Sequence, residues 1–510
     1  LGINVPTGKD SLSMKQKYKD GDVISPGTVV ISAAGNCSDI TKVVEPVLQK
    51  NAGSIYYINL SKDSFKLGGS SFSQTRNSIG NETPTITDSA YFKTVFNTIQ
   101  DLIKEDKIVA GHDVASGGLI TTLLELCFAD TNLGANLDLT SLGEADTIKV
   151  LFSENAGIVL QAKDDSIESI FASKNIEAKK IGTVINEATL TVRNNGMEMG
   201  LNIETLRDTW FKTSYLLDNQ QTAKGLAKDR FENYKVQPLQ YNFLNSAAII
   251  LPNRSETTNG TRPKAAILRE KGSNSEREMA NAMYLAGFDV KDVHMTDLIS
   301  GRENLEEIQF LGAVGGFSNS DVLGSAKGWA GAIKYNEKAN TVIKNFFARP
   351  DTLSVGICNG CQLFMELDLI NPEHESHGKM TYNDSHKHES NFTSVEIQKN
   401  NSVMLSSLEG SKLGVWISHG EGKFALPLSE ENYDIVAKYG YEGYPANPNG
   451  SDFNTAMLCD KTGRHLVTMP HIERSIFPWN WANYPTDRND EVSPWIEAFK
   501  NAKEWIVNQK

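Results

Sequence analysis

The chain has no run of 18 apolar residues, so no segment of its sequence reads as a membrane-spanning helix. It has no basic stretch, and its net charge is −13, which argues against nucleic acid as a partner. Cysteine is scarce: five residues, odd in number and scattered, argue against a disulfide framework and for a reducing compartment. Residues 1–25 show no charged, apolar and cleavage-site succession of a secretory leader. These absences predict a cytosolic protein. At 510 residues and 39% apolar content, two or more domains with buried cores are expected. The first residue is Leu1, and motif-like sequence follows at once, so the chain reads as a piece of a longer polypeptide.

What is present concentrates at residues 356–362, Gly-Ile-Cys-Asn-Gly-Cys-Gln. The apolar run Leu353–Ile357 enters this segment and the amphipathic run Gln362–Ile370 leaves it, which predicts strand, sharp turn and helix. A nucleophile at the apex of such an elbow stands clear of the sheet, and the flanking glycines remove side chains that would block the turn. The same turn aims backbone N–H groups at a reacting carbonyl. Cys358 is therefore the expected nucleophile. Cys361 follows at C-x-x-C spacing, but no second cysteine pair exists, and it is expected to face the helix packing.

A nucleophilic cysteine needs a base, and the base needs an orienting group. Val467-Thr-Met-Pro-His471-Ile-Glu473-Arg474 offers both. In an extended segment, His471 and Glu473 would share a side, so the carboxylate could hold one imidazole nitrogen while the other faces Cys358. His374, His377, His386 and His388 could ligate a metal by count, but their polar surroundings read as a solvated loop.

Along the chain, residues 1–215 alternate strand-like runs (28–34, 54–60, 107–110, 150–152, 156–159) with helical patterns over 88–105 and 119–128. Residues 216–262 are polar and read as a linker. From Lys264 the pattern is α/β, with strands over 265–268, 290–294 and 310–314 and helices over 276–286 and 329–335, then the elbow. A terminal helix is expected over 494–507. The alternation predicts a mostly parallel sheet covered by helices. Gly315-Gly316-Phe317-Ser318 ends one of its strands, where sites of such sheets form.

The pattern Gly-x-Cys-x-Gly-x-Gln, with Pro-His-x-Glu-Arg downstream, resembles the class I (triad) glutamine amidotransferases. That resemblance implies a Cys358–His471–Glu473 triad, with backbone oxyanion donors at Gly316 and Asn359. It also makes Ser418-His-Gly-Glu-Gly422 a wall of the glutamine pocket. Further runs narrow it: Arg262-Pro-Lys-Ala-Ala-Ile-Leu-Arg-Glu270, His294-Met-Thr-Asp-Leu298, Tyr444-Pro-Ala-Asn-Pro-Asn-Gly450 and Ser493-Pro-Trp495. Together with the elbow these resemble the glutaminase domain of the phosphoribosylformylglycinamidine synthase family, in its large single-chain form. Upstream, Pro6–Met14, Leu67-Gly-Gly-Ser-Ser71 and His112-Asp-Val-Ala-Ser-Gly-Gly118 resemble the same family's synthase region.

The resemblance implies α/β and α+β architecture: a C-terminal flavodoxin-like class I glutaminase domain (263–510) preceded by an aminoimidazole-ribotide-synthetase-like α+β domain (29–215). Residues 1–28 would close a synthase ATP- and substrate-binding subdomain. It further implies de novo purine chemistry: glutamine, ATP and formylglycinamide ribonucleotide as substrates, Mg2+ as cofactor, retained ADP as a structural ligand, and an N-terminal part of the same polypeptide as partner. Asp113 would be a Mg2+ ligand. The family run is Asp-x-Ser-Asp-Gly-Gly, whereas Ala115 and Ser116 stand here, so Ala115 would meet nucleotide through its backbone alone. The paired glycines 117 and 118 would admit phosphate. Lys9 and its neighbours lack the glycine spacing of a P-loop. Another class I amidotransferase, a glutamine hydrolase, or a non-catalytic module are the alternatives.

Overall fold

The computed structural model describes residues 4–8, 14–25, 29–236, 239–244, 247–251 and 262–509. Residues 9–13, which include Lys9, fall outside them. The chain divides into two compact units, Leu1–Thr213 and Ser214–Lys510.

The first unit is built on a seven-stranded sheet. Its strands are β1 (Ile55–Asn59), β2 (Ile108–Asp113), β3 (Gly134–Asp138), β4 (Gly157–Ala162), β5 (Ala178–Ile185), β6 (Thr189–Asn194) and β7 (Met197–Asn202). The order is β2-β4-β1-β5-β3-β6-β7, antiparallel except for the β3/β6 pair. Strand β1 alternates its side chains between two cores, as a two-residue period requires. Ile55 and Tyr57 join one with helix α2 (Gly118–Phe128), and Tyr56 and Ile58 join the other with helix α1 (Ser89–Lys104). Helix α1 starts where Asp88 accepts from the Tyr91 N–H, an N-cap.

Two expected strands fail. Val150–Phe152 lies in helix α3 (Thr147–Phe152), which Asp146 caps by accepting from Ile148 and Lys149 N–H groups. A short apolar run does not by itself separate strand from helix, and the cap decides this one. Residues 29–34 form no strand, and Val29, Val30 and Ile31 are exposed. A hairpin of Lys15–Tyr18 and Gly21–Ile24 is likewise exposed throughout.

The stretch expected to be a linker is partly ordered onto the second unit. Helix α4 (Ile203–Gln221) runs into it, and α5 (Leu226–Asn233) lies within it. Ions and rings hold it rather than periodic apolar residues. Arg230 bridges Asp218 and Glu389 at 2.7 and 2.8 Å, Tyr215 stacks on Phe231, and Tyr241 and Phe243 pack edge-on against Trp481.

The second unit carries a nine-stranded sheet. Its strands are β8 (Lys264–Arg269), β9 (Asp289–His294), β10 (Phe310–Ala313), β11 (Leu353–Ile357), β12 (Glu389–Ile397), β13 (Lys412–His419), β14 (Asp434–Tyr439), β15 (Thr455–Cys459) and β16 (His465–Thr468). The order is β9-β8-β10-β11-β16-β15-β14-β12-β13. The first five are parallel and the rest pair antiparallel. Counting only the parallel strands in chain order gives 2-1-3-4-5, the flavodoxin-like winding. Helices α6 (Glu276–Ala286), α7 (Asn359–Glu366) and α8 (Ile496–Asn508) cover it. All five residues of β11 are buried, as a central parallel strand demands.

Candidate active site

Strand β11 ends at the elbow. Cys358 has φ 54° and ψ −106°, a strained conformation for a residue with a Cβ, and its N–H still donates to Thr468 of β16 at 2.8 Å. The turn is tight enough that a Cβ on Gly360 would stand 2.1 Å from the Ala313 carbonyl oxygen. Gly360 is therefore fixed by the close approach of α7 to β10. Cys361 is wholly buried, and burial pushes its thiol well up, so it is an inert packing group.

His471 follows β16, and its N–H donates to the Trp416 carbonyl at 2.8 Å. Its Nδ1 is 2.7 Å from Glu473 Oε1. The two side chains meet across a 3-10 turn, Ile472–Arg474, and not along an extended segment. Both are buried, with 2% and 3% of their surface exposed. Burial alone would discharge the imidazole, but the Glu473 carboxylate and the Cys358 sulfur outweigh it and push His471 up to about 10. Burial likewise opposes charge on Glu473, and the His471 imidazolium more than offsets it, holding that carboxyl below the usual range. Nε2 of His471 makes no hydrogen bond to a described protein group. A Cβ on Gly315 would stand 3.0 Å from His471 Cε1 and 3.4 Å from Cys358 Cβ, so nucleophile, imidazole and glycine loop converge.

The loop after β10 supplies the other expected donor. Gly316 has φ 119°, and a Cβ there would come 2.6 Å from Ser273 Cα, so only glycine fits. Among the described residues, neither the Gly316 nor the Asn359 N–H donates to a protein acceptor. The Asn359 side chain ties loop to elbow: Oδ1 accepts from the Ser318 N–H at 3.2 Å and Nδ2 donates to Gln362 at 2.9 Å. The pocket over Cys358 is lined by Asn274, Gly316, Phe317, Asp321, Ser325, Gln362, Ser418, His419, Gly420, His471 and Arg474. The Ser418-His-Gly run thus forms part of its wall. A larger cavity of about 600 Å³, lined by Trp416, Phe477 and Trp479, shares Ser418, His471 and Arg474 with it.

Sequence reasoning passed over Asp321 and placed His419 only within the Ser418–Gly422 wall, with no role of its own. His419 is buried, has both ring nitrogens unpartnered, and is pushed down to about 3 by burial first and by His471 and His388 second. Its place beside a glycine-flanked glutamate was the available signal. The four loop histidines are not brought together as ligands. His374 packs edge-on against Tyr433, His377 faces Asp368, and His388 bonds Ser418 at 3.1 Å. His374 is largely buried, not solvated as expected.

In the first unit, Asp113 ends β2 with its side chain 77% exposed, beside His112. Among the described residues no three His, Cys, Asp or Glu side chains gather to hold a metal. The Ala115 carbonyl accepts from the Gly118 N–H, and the Gly117 N–H donates to Glu154 at 2.8 Å. The glycine pair answers an internal need: a Cβ on Gly117 would strike Thr121 Oγ1 at 2.3 Å, and one on Gly118 would strike the Leu151 carbonyl at 2.7 Å.

Strand, strained cysteine, buried His–Glu pair and N–H groups without a protein acceptor form a cysteine–histidine–glutamate site on a flavodoxin-like sheet. Residues 262–506 match the model of the CobB/CobQ-like glutamine amidotransferase domain, and residues 58–194 match that of the C-terminal domain of AIR synthase related proteins. Nearly the whole chain is similar to part of proteins named phosphoribosylformylglycinamidine synthase. It is 39% identical to an Arabidopsis thaliana protein named "Probable phosphoribosylformylglycinamidine synthase, chloroplastic/mitochondrial", over 99% of this chain and 38% of that one. It is 36% identical to the phosphoribosylformylglycinamidine synthases of Homo sapiens and Dictyostelium discoideum, over 99% of this chain and 40% and 41% of theirs. The chain thus spans about two fifths of the length of the curated relatives it matches. Among the described residues no helix is long and apolar enough to cross a membrane.

Proposed function

We propose that this chain carries the glutaminase, and part of the synthase, of an enzyme that converts formylglycinamide ribonucleotide to formylglycinamidine ribonucleotide with glutamine and ATP. The convergence of Cys358, His471 and Glu473 at the carboxyl ends of β11 and β16 carries the reading. The whole-length likeness to named synthases supports its particular substrates.

The steps follow from the geometry. The thiol proton passes to His471 Nε2, which holds it as an imidazolium, and Cys358 Sγ attacks the amide carbon of glutamine. Glu473 at Nδ1 fixes the tautomer and stabilises the imidazolium. The oxyanion meets the N–H groups of Gly316 and Asn359. His471 returns its proton to the leaving nitrogen, ammonia departs, and a glutamyl thioester remains. Water activated by the same imidazole then releases glutamate. Ammonia must reach the ATP-activated ribonucleotide without meeting bulk water, because ammonium has no lone pair to attack with.

The Mg2+ assignment has less support. Asp113 offers one exposed carboxylate, whereas Mg2+ demands a near-octahedral set of oxygens. Asp113 could supply at most one ligand, and no step is derived through the metal. Ala115 would be a backbone contact at most, because its side chain is a methyl group.

An assay of glutamine hydrolysis, with and without ATP and formylglycinamide ribonucleotide, tests the reading. Hydrolysis that ATP and ribonucleotide stimulate in the complete polypeptide, with amidine formed, is expected. Hydrolysis indifferent to both would make it a plain glutaminase or another amidotransferase, and none at all would make it a non-catalytic module.

A further inference from the structure

The pocket over Cys358 has a second wall that the triad does not use. Three consecutive non-glycine residues, Asn319, Ser320 and Asp321, have φ of 54°, 57° and 51°. Such left-handed runs are costly for residues with a Cβ and concentrate at working sites. This one delivers the Asp321 side chain to the pocket. Its Oδ2 accepts from the Ser325 hydroxyl at 3.1 Å and the Ala326 N–H also favours the charged carboxyl, but among the described residues buried Oδ1 makes no hydrogen bond. Glu421 stands nearby, accepting from the Ser325 N–H at 3.3 Å, and its backbone carbonyl accepts from Gln362 Nε2 at 2.7 Å. Burial first, and the charge of Glu421 with it, lift the Asp321 carboxyl above its usual range.

The wall therefore holds acidic groups short of a cation. His419, beside them in the same pocket, is neutral and also unpartnered, so it supplies no counter-charge. Of the pocket's two cations, the His471 imidazolium is held by Glu473, and Arg474 Nη2 donates to Asn274 Oδ1 at 2.7 Å. A buried carboxylate oxygen with no donor costs free energy until one arrives. A free α-amino acid brings a donor of the right sign in its ammonium group.

We propose that Asp321 receives the α-ammonium of the glutamine whose amide Cys358 attacks, and so selects free glutamine over glutamine blocked at its amino group. This rests on the glutaminase reading above. Asp321 acts on binding and specificity, since it touches the end of the substrate remote from the reacting carbon.

The test uses three alkylating probes of Cys358: 6-diazo-5-oxo-L-norleucine, its N-acetyl derivative, and iodoacetamide. Wild type should react much faster with the free amino acid probe than with the acetylated one. Asp321→Asn should slow the free probe by about 10- to 100-fold, the worth of a hydrogen bond to a charged group. It should leave the acetylated probe and iodoacetamide unchanged, and raise the KM for glutamine more than it lowers kcat. Equal slowing of all three probes would make Asp321 a structural residue and overturn the assignment. So would an unchanged ratio of free to acetylated probe. A wild-type chain that reacts with iodoacetamide but not with the free probe would refute the glutaminase reading itself, and the assignment with it.

Discussion

His471 and Glu473 are joined by a 2.7 Å hydrogen bond, Nδ1 to Oε1, inside a site from which both are almost wholly screened from water. Their charges offset each other's burial, so neither group is stable there alone.

Cys358→Ala should abolish glutamine-dependent amidine formation, while synthesis fed by ammonia survives in the complete enzyme, because only the ammonia source is lost. Cys361→Ala removes a packing group away from the chemistry and should leave hydrolysis near wild type. Rates with glutamine and with ammonium salts distinguish the two. An active Cys358→Ala variant would move the nucleophile elsewhere.

His471→Ala should lower glutamine hydrolysis by about 10²- to 10⁴-fold, the usual range for a positioned general base. Glu473→Gln keeps an acceptor near Nδ1 but removes the charge, and should cost less. Single-turnover thioester formation, read by trapping of the glutamyl enzyme, separates the two losses. A larger loss in Glu473→Gln than in His471→Ala would contradict the assigned roles.

The pair also sets a pH window for stability. His471 is raised in the folded state, so its contribution is complete below its unfolded value near 6.5 and lost as pH rises toward about 10. Glu473 is lowered, so its contribution is complete above about 4.5 and lost as pH falls through its folded value. Wild type should therefore lose stability relative to Glu473→Gln/His471→Ala as pH climbs from 6.5 to 10. Thermal unfolding of both proteins across that range checks the sign; parallel curves would refute it.

Gly360→Ala should destabilise the second unit by about 1–3 kcal/mol or more, since the new methyl must displace the backbone carbonyl of Ala313. Denaturant unfolding measures it. Loss of glutaminase activity should accompany the loss of stability, because the same shift moves the elbow. A neutral Gly360→Ala would mean the elbow can relax away from β10.

Asp113→Asn in the complete polypeptide should weaken retention of Mg2+-ADP if Asp113 is one of several oxygen ligands. Iodoacetamide labelling of Cys358 should not change, as that site uses protein groups alone. Calorimetric titration with Mg2+-ADP reads the first and mass spectrometry the second. Unaltered nucleotide binding would remove Asp113 from the ligand set.

Much of the second unit was readable from residue order. The run into Cys358 predicted strand, turn and helix because apolar content, glycines and helical period change within a few residues, all of them local signals. The spacing of His471 and Glu473 put them within mutual reach whatever the backbone did between them. Local signals failed where partners lay far off in sequence. Val150–Phe152 became a helix through a cap, and residues 29–34 formed no strand. The polar stretch after residue 215 docked through Arg230, Glu389 and Trp481, contacts that no periodicity announces. Asp321, and the buried, unpartnered state of His419, stayed invisible for the same reason. Their unpartnered atoms exist only because the sheet brings the ends of β10, β11, β13 and β16 together and closes water out. The sequence by itself determined which groups could do the chemistry, since reactivity belongs to residue type and near spacing. Which of them are buried, charged and left without a partner was decided only by the tertiary structure, because desolvation depends on everything packed around an atom.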